Sequence, residues 1–269
     1  MAKVLYEKAD RIARVTLNRP EAKNAIDPET NELLWEVWRD FAADDSVDVA
    51  IFTGTGDAFC AGADLKAFIP QWIEDATPRR VRDNVHTGLG GITRGLHRIP
   101  KPIIAAVNGW ALAGGLELAL AGDIRIASEQ AQFGSFEARR GYHHGDGGIV
   151  RLVNTCGAGI ALEMLLTAEP IDAERAARCN LVSRVVPHVD LMEDAELVAH
   201  QILRNSQTAV RSAKETILDV IGRPLDDQLR IEALNGYSSP DPEETLGLLA
   251  RFYEKTDAGR AGTHARPLE

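Results

Sequence analysis

The chain has 269 residues, 45% of them hydrophobic and 26% charged, and a formal net charge of −10. That composition fits one large globular domain, or one with an appended subdomain, and excludes disordered and fibrous classes. The acidic balance argues against a surface-wide nucleic-acid footprint, so an anionic ligand needs local basic groups and backbone N–H donors.

In chain order, "VLYEKADRIARVTLN" reads as two strands around an Ala-Asp-Arg turn. Asp27-Pro28 is a helix N-cap followed by proline at the first helical position. Leu33, Leu34, Val37, Trp38 and Phe41 then recur at helical spacing. "VDVAIFTGTG" is a buried strand ending in a glycine loop. Residues 67–98 mix helical signals with breakers and read as a mobile rim. "KPIIAAVNG" is a second buried strand that turns into a short helix at "ALAGGLELALAGD". "DIRIASE" and "AQFGS" are short strands, and "LVSRVVP" is another among helices. Residues 192–256 read as three or four amphipathic helices with breaks at Asn205-Ser206, Gly222-Arg223-Pro224 and Ser239-Pro240. The layout is α/β, without low-complexity segments or an exact repeat.

Cys60, Cys156 and Cys179 have no CxxC spacing and read as free thiols in a reducing compartment. The start, "MAKVLYEKAD", has no apolar leader run. The uncharged stretch 102–116 is shorter than the roughly 18 residues a spanning helix needs. A soluble, cytoplasmic protein without a membrane partner is expected.

Several motifs fail. "GTGDAF" follows a strand but lacks the third glycine and clean helix of a dinucleotide fingerprint. No Gly-Lys, HExxH or GxSxG occurs. His143-His144 are adjacent, and adjacent residues rarely converge on one ion, so no metal is expected.

Two glycine-bearing loops hold up better: "AFCAGADLK" (58–66) and "ALAGGLE" (111–117) each follow a buried strand. Small residues there let backbone N–H groups approach a ligand, and one from each loop can meet on a carbonyl oxygen as an oxyanion hole. Tight turns alone would also explain the glycines. Glu117 is a lone carboxylate in an apolar helix, a costly placement unless it is compensated. A second acid, Glu137, lies in "FGSFEARRG", and two carboxyls facing one water can activate and deliver it. Pairing of Glu137 with Arg139 or Arg140 is the plainer alternative, and Asp123 and Asp146 also read as turn or cap residues.

Together, "RVTLNRPEAKNAID", "AFCAGADLK", "KPIIAAVNGWALAGGLELALAGDIRIASEQAQFG", "RLVNTCG" and "ALEMLLTAEPIDAERAARCNLVSRVVP" resemble the crotonase (enoyl-CoA hydratase/isomerase) superfamily over about residues 3–256. The resemblance implies a spiral of ββα units over 1–190 and an all-helical trimerisation region over 191–269. It also implies a homotrimer or dimer of trimers, and an acyl-CoA thioester substrate that brings coenzyme A with it, so no separate cofactor. Carried over by position, the oxyanion hole is the N–H of Ala63 and of Gly114. Glu117 holds and activates water, and Glu137 exchanges a proton with the α-carbon. Ala22, Lys23, Ala25, Ala61, Asp64 and Leu65 match the loops lining the coenzyme A channel, and Trp110, His143, His144 and Asp146 are expected at the acyl pocket.

With both glutamates present, hydration of a trans-2-enoyl-CoA is the direct implication. The alternatives are isomerisation, C–C or ring-opening hydrolysis through Asp146, or a non-catalytic CoA- or RNA-binding relative. "GYHHGDGG" (141–148) replaces a Pro-Gly-rich loop, "SFE" replaces "xPE", Ala113 replaces a glycine, and "FYEKTDAGRAG" replaces a basic tail.

Overall fold

In the computed structural model, which describes residues 2–74, 77–239 and 241–261 apart from the side chains of 72, 73 and 254–261, the two opening runs form a hairpin. Strands β1 (Val4–Ala9) and β2 (Ile12–Leu17) pair antiparallel in the register Ala9↔Ile12. Asp10 and Arg11 close the turn with φ of 53° and 64°, the left-handed conformation that matches strand twist in two-residue hairpins. Helix α1 (Pro28–Ala43) starts where its cap signal stands: Asp27 Oδ1 accepts the Thr30 N–H at 2.8 Å. Its other end is closed by the buried Lys101, whose Nζ donates to the carbonyls of Phe41 (2.9 Å) and Asp44 (2.7 Å).

β3 (Val49–Gly54), β5 (Ile103–Val107), β7 (Ile124–Ser128) and β10 (Arg184–Val186) extend the hairpin into a six-stranded sheet, ordered β1-β2-β3-β5-β7-β10 and parallel from β2 onward. Side chains alternate between its faces with the strand period of two. Ala13, Val15, Leu17, Ala50, Phe52, Ala105 and Val107 belong to the main core with Trp38 and Phe41 of α1. Ile12, Val49, Ile51, Ile104, Ala106 and Ile126 cluster instead with Leu191, Ala195, Val198 and Ala199 of α7 (Leu191–Leu203).

Three of these strands each run on into a shorter one: β4 (Ala58–Cys60), β6 (Trp110–Leu112) and β8 (Gln132–Gly134). With β9 (Ile171–Asp172) they form a second sheet in the order β4-β6-β8-β9. Helices follow each pair: α2 (Ile69–Glu74) and α3 (Pro78–Thr87), then α4 (Gly114–Ala121), then α5 (Gly148–Thr167). This is the expected spiral of ββα units. It is a repeat of architecture, which is why no repeat shows in the sequence. The 67–98 stretch contains α2 and α3 followed by a run of turns. α5 has the length and hydropathy of a membrane span, yet it is not one continuous helix, because Gly157 breaks it with φ 77° and ψ 163°.

The chain forms two compact units that meet after Leu203 in sequence. The apolar stripe of α7 covers the large sheet, and Glu196 bonds Arg14 of β2 at 2.8 Å. After α6 (Ala173–Arg178) and α7, the second unit contains α8 (Gln207–Val220), α9 (Leu225–Ser238) and α10 (Pro242–Ala261). The expected breaks fall between these helices; Pro240 and the side chains of the tail from 254 lie outside the described residues.

Burial works against the charge of Asp27, but Lys3 Nζ at 2.6 Å and the Thr30 N–H and hydroxyl outweigh it and hold its pKa at about 2. A depressed carboxylate pKa contributes stability that is present above its ordinary value and lost as pH falls through the folded one. Asp27→Ala should therefore cost about 1–2 kcal/mol at neutral pH, and the gap to wild type should close between the ordinary value of 3.8 and about 2. Urea midpoints measured across that range check this; a gap that persists at the acid end contradicts it.

Candidate active site

The parallel strands β4, β6 and β8 all point their C-terminal ends the same way, and the chain leaves each through a residue of interest. After β4, Ile26 N–H donates to Gly62 O and Asp64 N–H to Ile26 O, both at 2.8 Å, which zips segment 22–26 against 61–64. After β6 the backbone turns into α4 through Ala113, whose N–H donates to Gly134 O at 2.8 Å. The two loops pass so closely that a Cβ on Gly115 would stand 1.9 Å from Cys60 O, and one on Gly62 would stand 2.9 Å from Gly114 N. Glycine is required at both places. Among the described residues, neither Ala63 N–H nor Gly114 N–H has a protein acceptor.

A cavity of about 380 Å³ opens onto this pair and is lined by Ala63, Gly114, Glu117, Glu137, His143, His144 and Asp146, with Leu89, Arg140 and Tyr142 among others. Glu117 sits in the first turn of α4, three residues after Gly114, on the same helix face. Its compensation comes from the loop before α5 and the first residue of that helix, since Oε1 accepts the N–H groups of Asp146 (2.7 Å) and Gly148 (3.0 Å). Such charge-assisted bonds are the strong ones, and two of them answer the cost of burial.

His144 completes the set. Its Nδ1 lies 2.8 Å from Glu137 Oε1 and 3.2 Å from Glu117 Oε1, and its Nε2 lies 2.8 Å from Ser135 Oγ. Burial alone would lower its pKa, but the two carboxylates outweigh burial and push it up to about 9, so the ring is a cation at neutral pH. Glu137 is buried and accepts the Ser135 hydroxyl at 3.2 Å. Arg139 instead turns to Glu169 at 2.7 Å and stacks on Phe136, while Arg140 lines the cavity.

Asp146 lines the cavity, but its Oδ1 is committed elsewhere. It accepts Leu89 N–H (2.9 Å) and the Thr93 hydroxyl (3.3 Å), and lies 3.1 Å from Arg94. Burial raises its pKa, the charge of Glu117 adds to that, and Arg94 opposes both. Arg151 ties the same turn to the same loop through Thr93 O (2.7 Å) and Asp146 O (3.1 Å). Asp146 thus fixes the loop that holds Glu117.

His143 lines the cavity with its Nδ1 donating to His144 O at 2.6 Å. Trp110 does not line it: β6 runs Trp110–Leu112 and only its far end reaches the site. Ala22, Lys23, Ala25, Ala61, Asp64 and Leu65 also lie outside that cavity, in the zipped loops beside Ala63. There Asp64 accepts Lys66 and Ala67 N–H, Lys23 pairs with Asp57 at 2.7 Å, and Leu65 is half-exposed. Sequence reasoning missed Ser135, Leu89 and Tyr142. Ser135, two residues before Glu137 in the expected site loop, is the one with a local signal.

Residues 7–260 match the family described as enoyl-CoA hydratase/isomerase. The chain belongs to that family. It is 35% identical over 255 residues to a short-chain-enoyl-CoA hydratase of Clostridium acetobutylicum, covering 94% of this chain and 95% of that one. It is 35% identical over 257 residues to a crotonyl-CoA hydratase of Syntrophomonas wolfei, covering 95% and 96%. The crystal structure of an enoyl-CoA hydratase from Bacillus anthracis superposes with a TM-score of 0.84 at 34% identity, covering 94% and 97%.

Within this enoyl-CoA hydratase/isomerase site Ala113 is strained, a non-glycine residue at φ 53° and ψ −123°. Ala113→Gly should relieve that conformation and raise stability by about 1 kcal/mol after the entropy cost of glycine. An unchanged or lower urea midpoint would show that the helix entry carries no strain.

Proposed function

We propose that this protein is an enoyl-CoA hydratase that adds water across the double bond of a trans-2-enoyl-CoA to give a 3-hydroxyacyl-CoA. The observation that carries the reading is the single cavity shared by two unengaged backbone N–H groups and two buried glutamates. The thioester oxygen takes hydrogen bonds from Ala63 and Gly114, at the positive end of α4, where charge develops as the β-carbon is attacked. Glu117, with Oε1 held by backbone, presents Oε2 to the water and takes its proton as the hydroxyl joins the β-carbon. Glu137 enters as the carboxylic acid and gives its proton to the α-carbon, and the proton gained by Glu117 restores it, so one water is consumed and nothing else. His144 stands between Glu117 and Glu137, where its positive ring offsets the carboxylate of Glu117.

Hydrolysis through Asp146 is the weaker reading, because its Oδ1 already binds the 89–94 turn. The coenzyme A arm, part of the substrate, would run along loops 22–25 and 61–65, which pair with each other beside Ala63. A homotrimer or dimer of trimers is supported by α8 and α9, which have no buried residue although Ile217, Leu229 and Leu234 are each more than half exposed.

Purified protein should consume crotonyl-CoA, followed by loss of the conjugated thioester absorbance. Glu117→Gln and Glu137→Gln should each lower kcat about 10²–10⁴-fold with KM little changed, the range of general acid–base groups. Wild type inert on every enoyl-CoA but active on a β-keto-CoA or cyclic diketone would sink the hydratase reading.

A further inference from the structure

Glu117, Glu137 and His144 come from α4, the turn after β8 and the loop before α5, yet one ligand atom of each lies within 4.8 Å of the other two. The three side chains are 1–4% exposed. His144 Nδ1 is buried without a hydrogen bond of proper angle. It lies 3.2 Å from Glu117 Oε1 and 2.8 Å from Glu137 Oε1. Bonds of about 2.0–2.2 Å to one four-coordinate ion place ligand atoms roughly 3.3–3.6 Å apart, so Glu117 and His144 stand near that spacing and Glu137 would draw back slightly to admit the ion.

The surroundings meet the further conditions of a metal site. A ligating imidazole needs its second nitrogen fixed, and Nε2 donates to Ser135 Oγ at 2.8 Å while that hydroxyl donates to Glu137 Oε2 at 3.2 Å. Gly148 makes room for the ring, since a Cβ there would stand 2.5 Å from Nδ1. One imidazole nitrogen with two carboxylate oxygens suits zinc more than magnesium, which prefers oxygen ligands and retained water. All three side chains line the cavity of about 380 Å³, which gives an ion a way in.

We propose that Glu117, Glu137 and His144 form a binding site for a zinc-class divalent ion, and that an ion bound there blocks hydration. Binding exchanges the proton on Nδ1 for the metal, with one proton released to solvent. It also occupies the carboxylate lone pairs that otherwise receive and deliver protons. The blocking half rests on the hydratase reading; the binding half does not.

The test is calorimetric titration of the chelator-treated, substrate-free protein with zinc chloride alone, alongside the crotonyl-CoA assay with and without zinc. One ion per chain is expected, with activity lost on addition and recovered with chelator. Ser135→Ala leaves all three ligands and should weaken zinc binding about 10–100-fold, the usual effect of removing a ligand's orienting partner. His144→Gln should weaken it further, and circular dichroism verifies that each variant is folded. If His144→Gln does not fold, Ser135→Ala decides. No binding up to millimolar zinc overturns the proposal, as does affinity unchanged in the folded variants. Binding that instead disappears in Cys179→Ser, which removes one thiol of the Cys156–Cys179 contact, also overturns it. Zinc bound at the site with hydration unaffected overturns the blocking half. A wild type inert on crotonyl-CoA but binding zinc at His144 leaves the site standing and removes the hydratase reading.

Discussion

Everything at the site depends on how closely the backbone of 57–63 passes that of 109–115. A Cβ on Gly109 would stand 2.0 Å from Asp57 O, and one on Gly115 1.9 Å from Cys60 O. No side chain fits between these strands at either end of β6, so the chain is glycine where they touch. That contact sets the short parallel sheet, and the sheet in turn delivers Ala63, Gly114 and Glu137 from the ends of neighbouring strands. Placing reactive groups at the carboxyl ends of parallel strands is a general solution in open α/β sheets, because the loops leave together while the strands behind them stay rigid.

The second constraint is electrostatic. Glu117 is held in an apolar helix by two N–H groups, from the loop before α5 and the first residue of α5, so the loop must be as rigid as the helix. Rigidity comes from bonds made behind the cavity wall. Asp146 binds the backbone and hydroxyl of the 89–94 turn, and Arg151 spans from Thr93 O to Asp146 O. Arg151 does this largely buried, and burial lowers its pKa against the opposing charges of Glu117 and Asp146. The acidic residue beside the two buried glutamates thus holds the loop in place through its own Oδ1.

Much of the fold was legible because local and global signals agree. The Asp27-Pro28 cap, the apolar spacing of α1 and the all-apolar runs of β3 and β5 each specify one element, and each forms. Glu117 stood out for the opposite reason, as a charge that violates its surroundings, and such violations mark sites. Other features escaped for physical reasons. α7 carries the same helical pattern as the tail, and only the matching face of the large sheet shows where it belongs. Ser135 and Leu89 are ordinary residues whose roles come from contacts far along the chain. Spacing rules passed over His144, since they look for ligands within one segment, while its carboxylate partners lie 27 and seven residues away.

His144 and Gly148 are best understood as one feature. The imidazole enters the space between the glutamates only because residue 148 has no side chain to meet the ring, and Gly148 in turn gives its N–H to Glu117. A larger residue at 148 would expel the ring and shift a donor of Glu117 in the same movement. A smaller residue at 144 would leave two buried carboxyl groups facing each other without the cation between them. The loop "GYHHGDGG" is therefore constrained at both positions together, by the room the ring needs and by the charge it balances. That coupling explains how a loop without family-typical prolines can still hold a buried glutamate in place.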